Sequence, residues 1–226
     1  MPTNHSPTHE LAVSASIVTA ELLTLEAEFE RLLSAGVDSL HLDLEDGRFV
    51  PVMNLGTRAI EAAVRWGKLP VDVHLMVEDP ERAILLIEGL RLQTVAVHAE
   101  STLYPRRLLG MIREQGWQAG IALNPATPMI DMATLAPYLD NVLMLTTEPE
   151  HCDAPFLEAR LGQVRDAVKA AKSLGISVTV DGGVNTSNIE LIANTGVNTV
   201  VVGRALFDSP QLEHTVARIR KGSAHE

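Results

Sequence analysis

Ser39-Leu-His-Leu-Asp-Leu-Glu-Asp-Gly47 is an apolar, strand-like run that ends in ionisable side chains, and Val71-Asp-Val-His-Leu-Met76 and Val178-Thr-Val-Asp-Gly-Gly183 repeat the pattern. Residues two apart in a strand point to one face, so His41 and Asp43 project together, with His74 arriving from the next strand and Asp181 from a later one. Two neutral imidazoles and two carboxylates make a mixed nitrogen and oxygen set suited to a divalent transition metal. The pattern points to an enzyme with its chemistry at strand ends.

Outward from these runs, short β-branched stretches alternate with longer amphipathic ones. Strands are expected near 11–17, 38–43, 70–76, 93–98, 118–123, 140–146, 176–181 and 198–202, with helical stretches such as 20–35, 57–66, 80–89, 103–115, 156–174 and 205–220. Strands apolar on both faces fit a parallel sheet covered by helices. Eight β-then-α units of roughly 25–30 residues fit a closed (β/α)8 barrel better than an open doubly wound sheet. A flavodoxin-like or Rossmann sheet would alternate in the same way, but no Gly-x-Gly-x-x-Gly follows a strand. One domain is expected over 1–226, with 1–9 and 221–226 as loose ends.

Composition narrows the function. A net charge of −11 and the lack of any basic run argue against a nucleic-acid surface, so an anionic substrate needs a local pocket of donors. Cys152 is the single cysteine and cannot form an intrachain disulfide, and the opening residues lack the charged and apolar regions of a secretory signal. A cytoplasmic location is the default. No apolar run approaches the ~20 residues that span a bilayer.

A single histidine on an apolar strand is more often a hydrogen-bonded core residue than a ligand, and the lesser reading of Asp181 alone is a turn residue before Gly182-Gly183. Taken together, burying two aspartates and two histidines costs heavily without a metal or partner. Asp46-Gly47 reads as a turn only. His98 and Glu100 read as supports behind the ligands rather than ligands.

Several motifs, in order and spacing, resemble the ribulose-phosphate 3-epimerase family from about Leu11 to Phe207. His-Leu-Asp-Leu-Glu-Asp-Gly-Arg-Phe-Val-Pro (41–51) stands beside the family's His-Val-Asp-x-Met-Asp-Gly-x-Phe-Val-Pro. Asp-Val-His-Leu-Met (72–76), Val-His-Ala-Glu (97–100), Leu-Asn-Pro-Ala-Thr-Pro (123–128), Val-Asp-Gly-Gly-Val (180–184) and Val-Gly-Arg-Ala-Leu-Phe (202–207) follow. The resemblance implies a TIM barrel of the ribulose-phosphate-binding type, with a divalent metal (Zn, Fe, Mn or Co) on His41, Asp43, His74 and Asp181. It implies that Asp43 and Asp181 double as proton carriers, that Ser16 and Met76 touch the substrate, and that the chain is a homo-oligomer acting on a keto-sugar phosphate.

Epimerising the carbon beside a ketone removes a proton from one face and returns one to the other, which needs two acid/base groups flanking a planar enediolate. Asp43 and Asp181, from strands 2 and 7, suit those parts, and a metal would act as the Lewis acid. No organic cofactor is then required. Barrels of this type often hold phosphate after strands 7 and 8, where Gly182-Gly183 and Gly203-Arg204 fall, although tight strand-to-helix turns use glycine as well.

The chain departs from the family in its substrate walls. The family loop Asn-Pro-Gly-Phe-Gly-Gly-Gln-x-Phe is here Glu148-Pro-Glu-His-Cys-Asp-Ala-Pro-Phe156, which removes glycine amides and adds Glu148, Glu150 and Asp153 near any phosphate. Arg204 stands for the family's serine and would restore a bidentate phosphate contact, Glu45 replaces a methionine and Val52 an asparagine. These changes favour a ketose phosphate other than ribulose 5-phosphate. His151-Cys152 reads as lid rather than nucleophile, because sequence neighbours on a loop rarely orient as a catalytic pair. Decarboxylase and Schiff-base aldolase readings fail for want of a strand lysine. The competing class is a metal-binding sugar-phosphate sensor without turnover, against which two opposed carboxylates argue.

Overall fold

The computed structural model describes residues 10–149 and 154–222. Strands run over Ala12–Ser16 (β1), Ser39–Glu45 (β2), Val71–Met76 (β3), Thr94–His98 (β4), Gln118–Leu123 (β5), Asn141–Leu145 (β6), Ser177–Asp181 (β7) and Thr199–Val202 (β8). All pair in parallel with their sequence neighbours, and β8 closes on β1. The helices are Leu25–Ala35 (α1), Gly56–Trp66 (α2), Pro80–Leu86 (α3), Pro105–Glu114 (α4), Met132–Leu135 (α5), Leu161–Lys172 (α6), Ile189–Ala193 (α7), Arg204–Phe207 (α8) and Leu212–Lys221 (α9). The architecture is the expected (β/α)8 TIM barrel.

Helix limits differ from expectation for local reasons. The stretch 20–35 opens in 3-10 turns and becomes α-helical only at Leu25, and 156–174 is likewise 3-10 before α6. The single helix expected over 205–220 is two, α8 and α9, because Pro210 has no N–H to continue the ladder. Helices α5 and α7 are four and five residues long, too short for a periodic signal. Lys221 closes α9 and Gly222 caps it in the left-handed region, so the loose end expected at 221–226 begins later; 1–9 and 223–226 lie outside the described residues.

Strand alternation sorts the core into two parts. Leu40, Leu42 and Leu44 of β2, Val73 and Leu75 of β3, and Val200 and Val202 of β8 face outward and join the helices in the main apolar cluster. Burial of each such side chain stabilises by about 1.5–3 kcal/mol. Inside the barrel one small apolar group, Ala96, Ala122, Leu143 and Val201, packs together, and Met76 and Leu145 lie nearer the rim. Much of the remaining interior is polar. Toward the amino ends of the strands, Asp72 accepts from Ser39 (2.6 Å) and Ser14 (3.1 Å), and Asn141 donates to Ser177 (2.8 Å) and Thr179 (2.9 Å). Register then stacks the ionisable layer above: Ser16 pairs with His41, Asp43 with His74, and Asp181 with Leu145 and Val201.

Candidate active site

The four strand-end residues converge. His41 Nε2 lies 3.4 Å from Asp43 Oδ1 and 3.8 Å from Asp181 Oδ2, while His74 Nδ1 lies 3.1 Å and 3.8 Å from the same two oxygens. One ligating atom from each of the four sits within 4.8 Å of every other. A tetrahedral ion with ligands at about 2.0–2.1 Å would space them about 3.3–3.4 Å apart, close to these separations.

Two further observations test the fit. The first is that His41 Nε2 is buried and, although near Asp43, has no hydrogen-bond partner. An unpaired buried nitrogen is costly unless something else binds it. The second concerns tautomers. Glu100 Oε2 lies 3.0 Å from His98 Nδ1 and can only accept, so His98 carries its proton there. His98 Nε2 therefore accepts from His74 Nε2, 2.9 Å away, and His74 Nδ1 is left with a lone pair facing Asp43 Oδ1. Two lone pairs 3.1 Å apart repel one another, and a cation shared between them removes that repulsion. The residues present fit a divalent metal.

The cluster shares its protons unequally. Burial opposes charge on His41, but the Asp43 carboxylate, with Asp181 and Asp72 behind it, outweighs burial and carries the ring up to about 9. Burial pushes His74 down to about 4 despite its contact with Asp43. Asp43 resists its own burial and is held well below the usual carboxylate range by His41 and His74, whereas burial lifts Asp181 to about 7. Two carboxylates of one site thus differ widely in proton affinity.

Above the cluster a cavity of about 540 Å³ opens at the carboxyl ends of the strands. Ser16, Met76, Gly182, Gly183, Gly203 and Arg204, all expected at the substrate, line it with Asp43, His74 and Asp181. Ser16 Oγ also donates to Asp43 Oδ2 at 3.4 Å. Gly182 is required by space as well as by its φ of +106°, since a Cβ there would come within 2.4 Å of Thr147 Oγ1 and 2.9 Å of the Thr147 nitrogen. Gly203 is not so confined; its nearest neighbour to an added Cβ would be 3.7 Å away. Of the acidic loop, Glu148 lines the cavity, while Glu150, His151, Cys152 and Asp153 lie outside the described residues.

Sequence reasoning did not single out several residues that hold this site in shape. Thr146 donates from its nitrogen (2.7 Å) and hydroxyl (2.9 Å) to the Asp181 carbonyl, fixing the end of β7. Asn185 and Asn188 both donate to the Gly183 carbonyl, at 3.0 and 2.9 Å. Buried Arg160 donates to the carbonyls of Asn124 and Thr127, whose nitrogen and hydroxyl in turn bind Glu100. The motif Leu-Asn-Pro-Ala-Thr-Pro (123–128) carries the signal for part of this; nothing local marks Arg160.

An acid and imidazole cluster at the carboxyl ends of barrel strands, under a cavity, defines an enzyme of the (β/α)8 class. The chain belongs to the ribulose-phosphate 3 epimerase family, whose profile matches residues 12–207, and it is an isomerase of the epimerase type. Ribulose-phosphate 3-epimerase of Bacillus subtilis is 32% identical over 213 residues, covering 93% of this chain and 98% of that one. The Escherichia coli K12 enzyme of the same name is 30% identical over 211 residues, covering 92% and 94%. Among solved structures, a mutant tryptophan synthase alpha-subunit from Pyrococcus furiosus superposes with a TM-score of 0.63 at 14% identity, covering 95% of this chain and 97% of that one, a likeness of fold alone. No helix among the described residues is long and apolar enough to cross a membrane.

Proposed function

We propose that the chain is a metal-dependent 3-epimerase of a keto-sugar phosphate, a pentulose 5-phosphate or a related ketose phosphate. The observation that carries this reading is the convergence of Asp43 and Asp181, from β2 and β7, on the same two imidazoles beneath one cavity. A divalent ion held by His41, Asp43, His74 and Asp181 would supply Lewis acidity toward the substrate carbonyl and the enediolate charge. One aspartate takes the proton from the carbon beside the ketone, and the other, protonated, delivers one to the opposite face. Ser16 steadies Asp43 through its second oxygen, and Thr146 steadies the backbone of Asp181.

Anion recognition falls to the turns after β7 and β8, where Gly182, Gly183, Gly203 and Arg204 meet the cavity and α8 begins. Glu148 beside them disfavours a phosphate unless Arg204 offsets it, so the wall differs from the one the family motif implies. The test is a panel of ketose phosphates and unphosphorylated ketoses in deuterated water, following exchange of the proton alpha to the carbonyl. Exchange and inversion on a phosphorylated ketose are expected; tight binding without exchange on any member makes the chain a sensor and overturns the reading. The metal is tested separately. Purified protein should carry about one divalent ion per chain and His74→Ala should lose it, whereas full activity without metal rejects that part.

A further inference from the structure

Glu45 stands two residues after Asp43 on β2, so it points into the same interior one layer nearer the rim, paired with Met76 on β3. It is buried, yet lines the cavity with Asp43, His74 and Met76. Its carboxylate is gripped by one neighbour: the Asn54 nitrogen donates to Oε2 at 2.8 Å, and the Asn54 side-chain amide donates to Oε1 at 3.0 Å. Both oxygens are therefore acceptors. A carboxylate has about four lone-pair sites, so two contacts leave acceptor capacity on a side chain whose orientation is already fixed.

The position of this acceptor in the ring decides what it meets. The strand order is closed and sequential, so β2 and β3 lie across the barrel from β7, with the His41, Asp43, His74 and Asp181 cluster between. A ketose whose phosphate rests on the turns after β7 and β8, and whose reacting carbon lies over Asp43 and Asp181, extends its unphosphorylated end toward the β2–β3 wall. The carbon next to the ketone on that side carries a hydroxyl in an ordinary ketose. Leaving a buried carboxylate without that donor would cost more than leaving an apolar wall empty, which is how hydrogen-bonding sites reject analogues that lack one group.

We infer that Glu45, held by Asn54, is a specificity-determining residue that accepts a hydrogen bond from the C1 hydroxyl of the substrate. The inference rests on the ketose phosphate reading above. It makes Asn54 a positioning residue, acting on the substrate only through Glu45.

The experiment compares a 2-ketopentose 5-phosphate with its 1-deoxy analogue on the metal-loaded protein, by kcat/KM and by calorimetric binding. Wild type should favour the hydroxylated ligand by roughly ten- to a hundredfold, the yield of a hydrogen bond to a charged group. Glu45→Met should bring the ratio close to one, and Glu45→Gln, which keeps an acceptor oxygen and nearly the same shape, should retain part of it. Asn54→Ala should reduce the ratio without abolishing it. An unchanged ratio in Glu45→Met, or no preference in wild type, overturns the inference; if Glu45→Met fails to fold, a Glu45→Gln ratio equal to that of wild type does the same. Failure of the epimerase reading looks different. Wild type would then exchange no alpha proton on either ligand, and a calorimetric preference that vanishes in Glu45→Met would still uphold Glu45, while no binding of either ligand to wild type would reject it.

Discussion

The two ends of the barrel interior are both polar and both buried, but they are wired differently. Near the amino ends of the strands, Ser14, Ser39 and Asp72, and across from them Asn141, Ser177 and Thr179, spend their groups on one another. One oxygen, Asp72 Oδ1, lacks a protein partner, and it sits by a cavity of about 120 Å³, roomy enough for water. At the carboxyl ends, His41 Nε2 has no partner, and His74 Nδ1 and Asp43 Oδ1 present lone pairs to each other. Closed networks hold structure, and convergent lone pairs suit a bound cation. Burial alone does not separate the two; the hydrogen-bond ledger does.

The sharpest way to break this contrast is at the carboxylates. Asp43→Asn and Asp181→Asn should each reduce epimerisation by a factor of about 10² to 10⁴, the usual scale of a lost acid or base, with the fold retained by circular dichroism. One of the two should keep single-face proton exchange, read by deuterium incorporation without inversion. Near wild-type turnover in either variant removes the two-base assignment.

Next in size is the anion end. Arg204→Ser should raise KM for a phosphorylated ketose roughly ten- to a hundredfold and leave the unphosphorylated parent nearly unaffected, because a charge-assisted hydrogen bond or two is lost. Equal weakening of both ketoses would take Arg204 out of phosphate recognition.

Glu100 sharpens the comparison from behind the cluster, since it sets the tautomers of His98 and hence His74. Glu100→Gln should weaken metal affinity by about ten- to a hundredfold, measured by competition with a chelator, as losses behind a ligand usually do. It also has a pH signature. Burial would raise the Glu100 carboxyl, but hydrogen bonds from His98, Thr127 and the Asn124 nitrogen outweigh it and hold it down to about 2, below its ordinary 4.5. A depressed carboxylate stabilises the fold fully above the ordinary value and loses that contribution as pH falls from 4.5 toward 2. Melting curves across that window should therefore fall less steeply for Glu100→Gln than for wild type; equal slopes would show that the interaction carries no folding energy.

The smallest effect is expected at the other end of the barrel. Asn141→Ala strips two buried hydrogen bonds and should destabilise by about 1–3 kcal/mol while kcat/KM for the intact fraction stays close to wild type. A large catalytic loss there would mean that the two layers are coupled and the contrast is false.

Much of this contrast was legible in the chain. Runs of valine, leucine and isoleucine placed all eight strands, because parallel strands buried on both sides need no alternation to be recognised, and ionisable residues toward the ends of β2, β3 and β7 marked the site layer. What stayed hidden was whatever depends on a neighbour far along the chain. Asn54 looks like any loop asparagine until the loop after β2 folds back onto Glu45. Arg160 sits in a stretch that reads as the start of an exposed amphipathic helix, yet it is buried against the loop after β5. Thr146 continues an apolar strand without chemical emphasis, although it clasps the carboxyl end of the next strand.

Gly182 has a consequence for anyone reshaping this pocket. Any side chain at that position drives into the backbone of Thr147, so a substitution there shifts the root of the loop after β6 together with the turn that follows Asp181. A mutant library that varies Glu45, Asn54, Met76 and Arg204 samples new specificities on a fixed frame. One that opens Gly182 samples new frames, and most of its members should be lost to misplaced chemistry before specificity is ever tried.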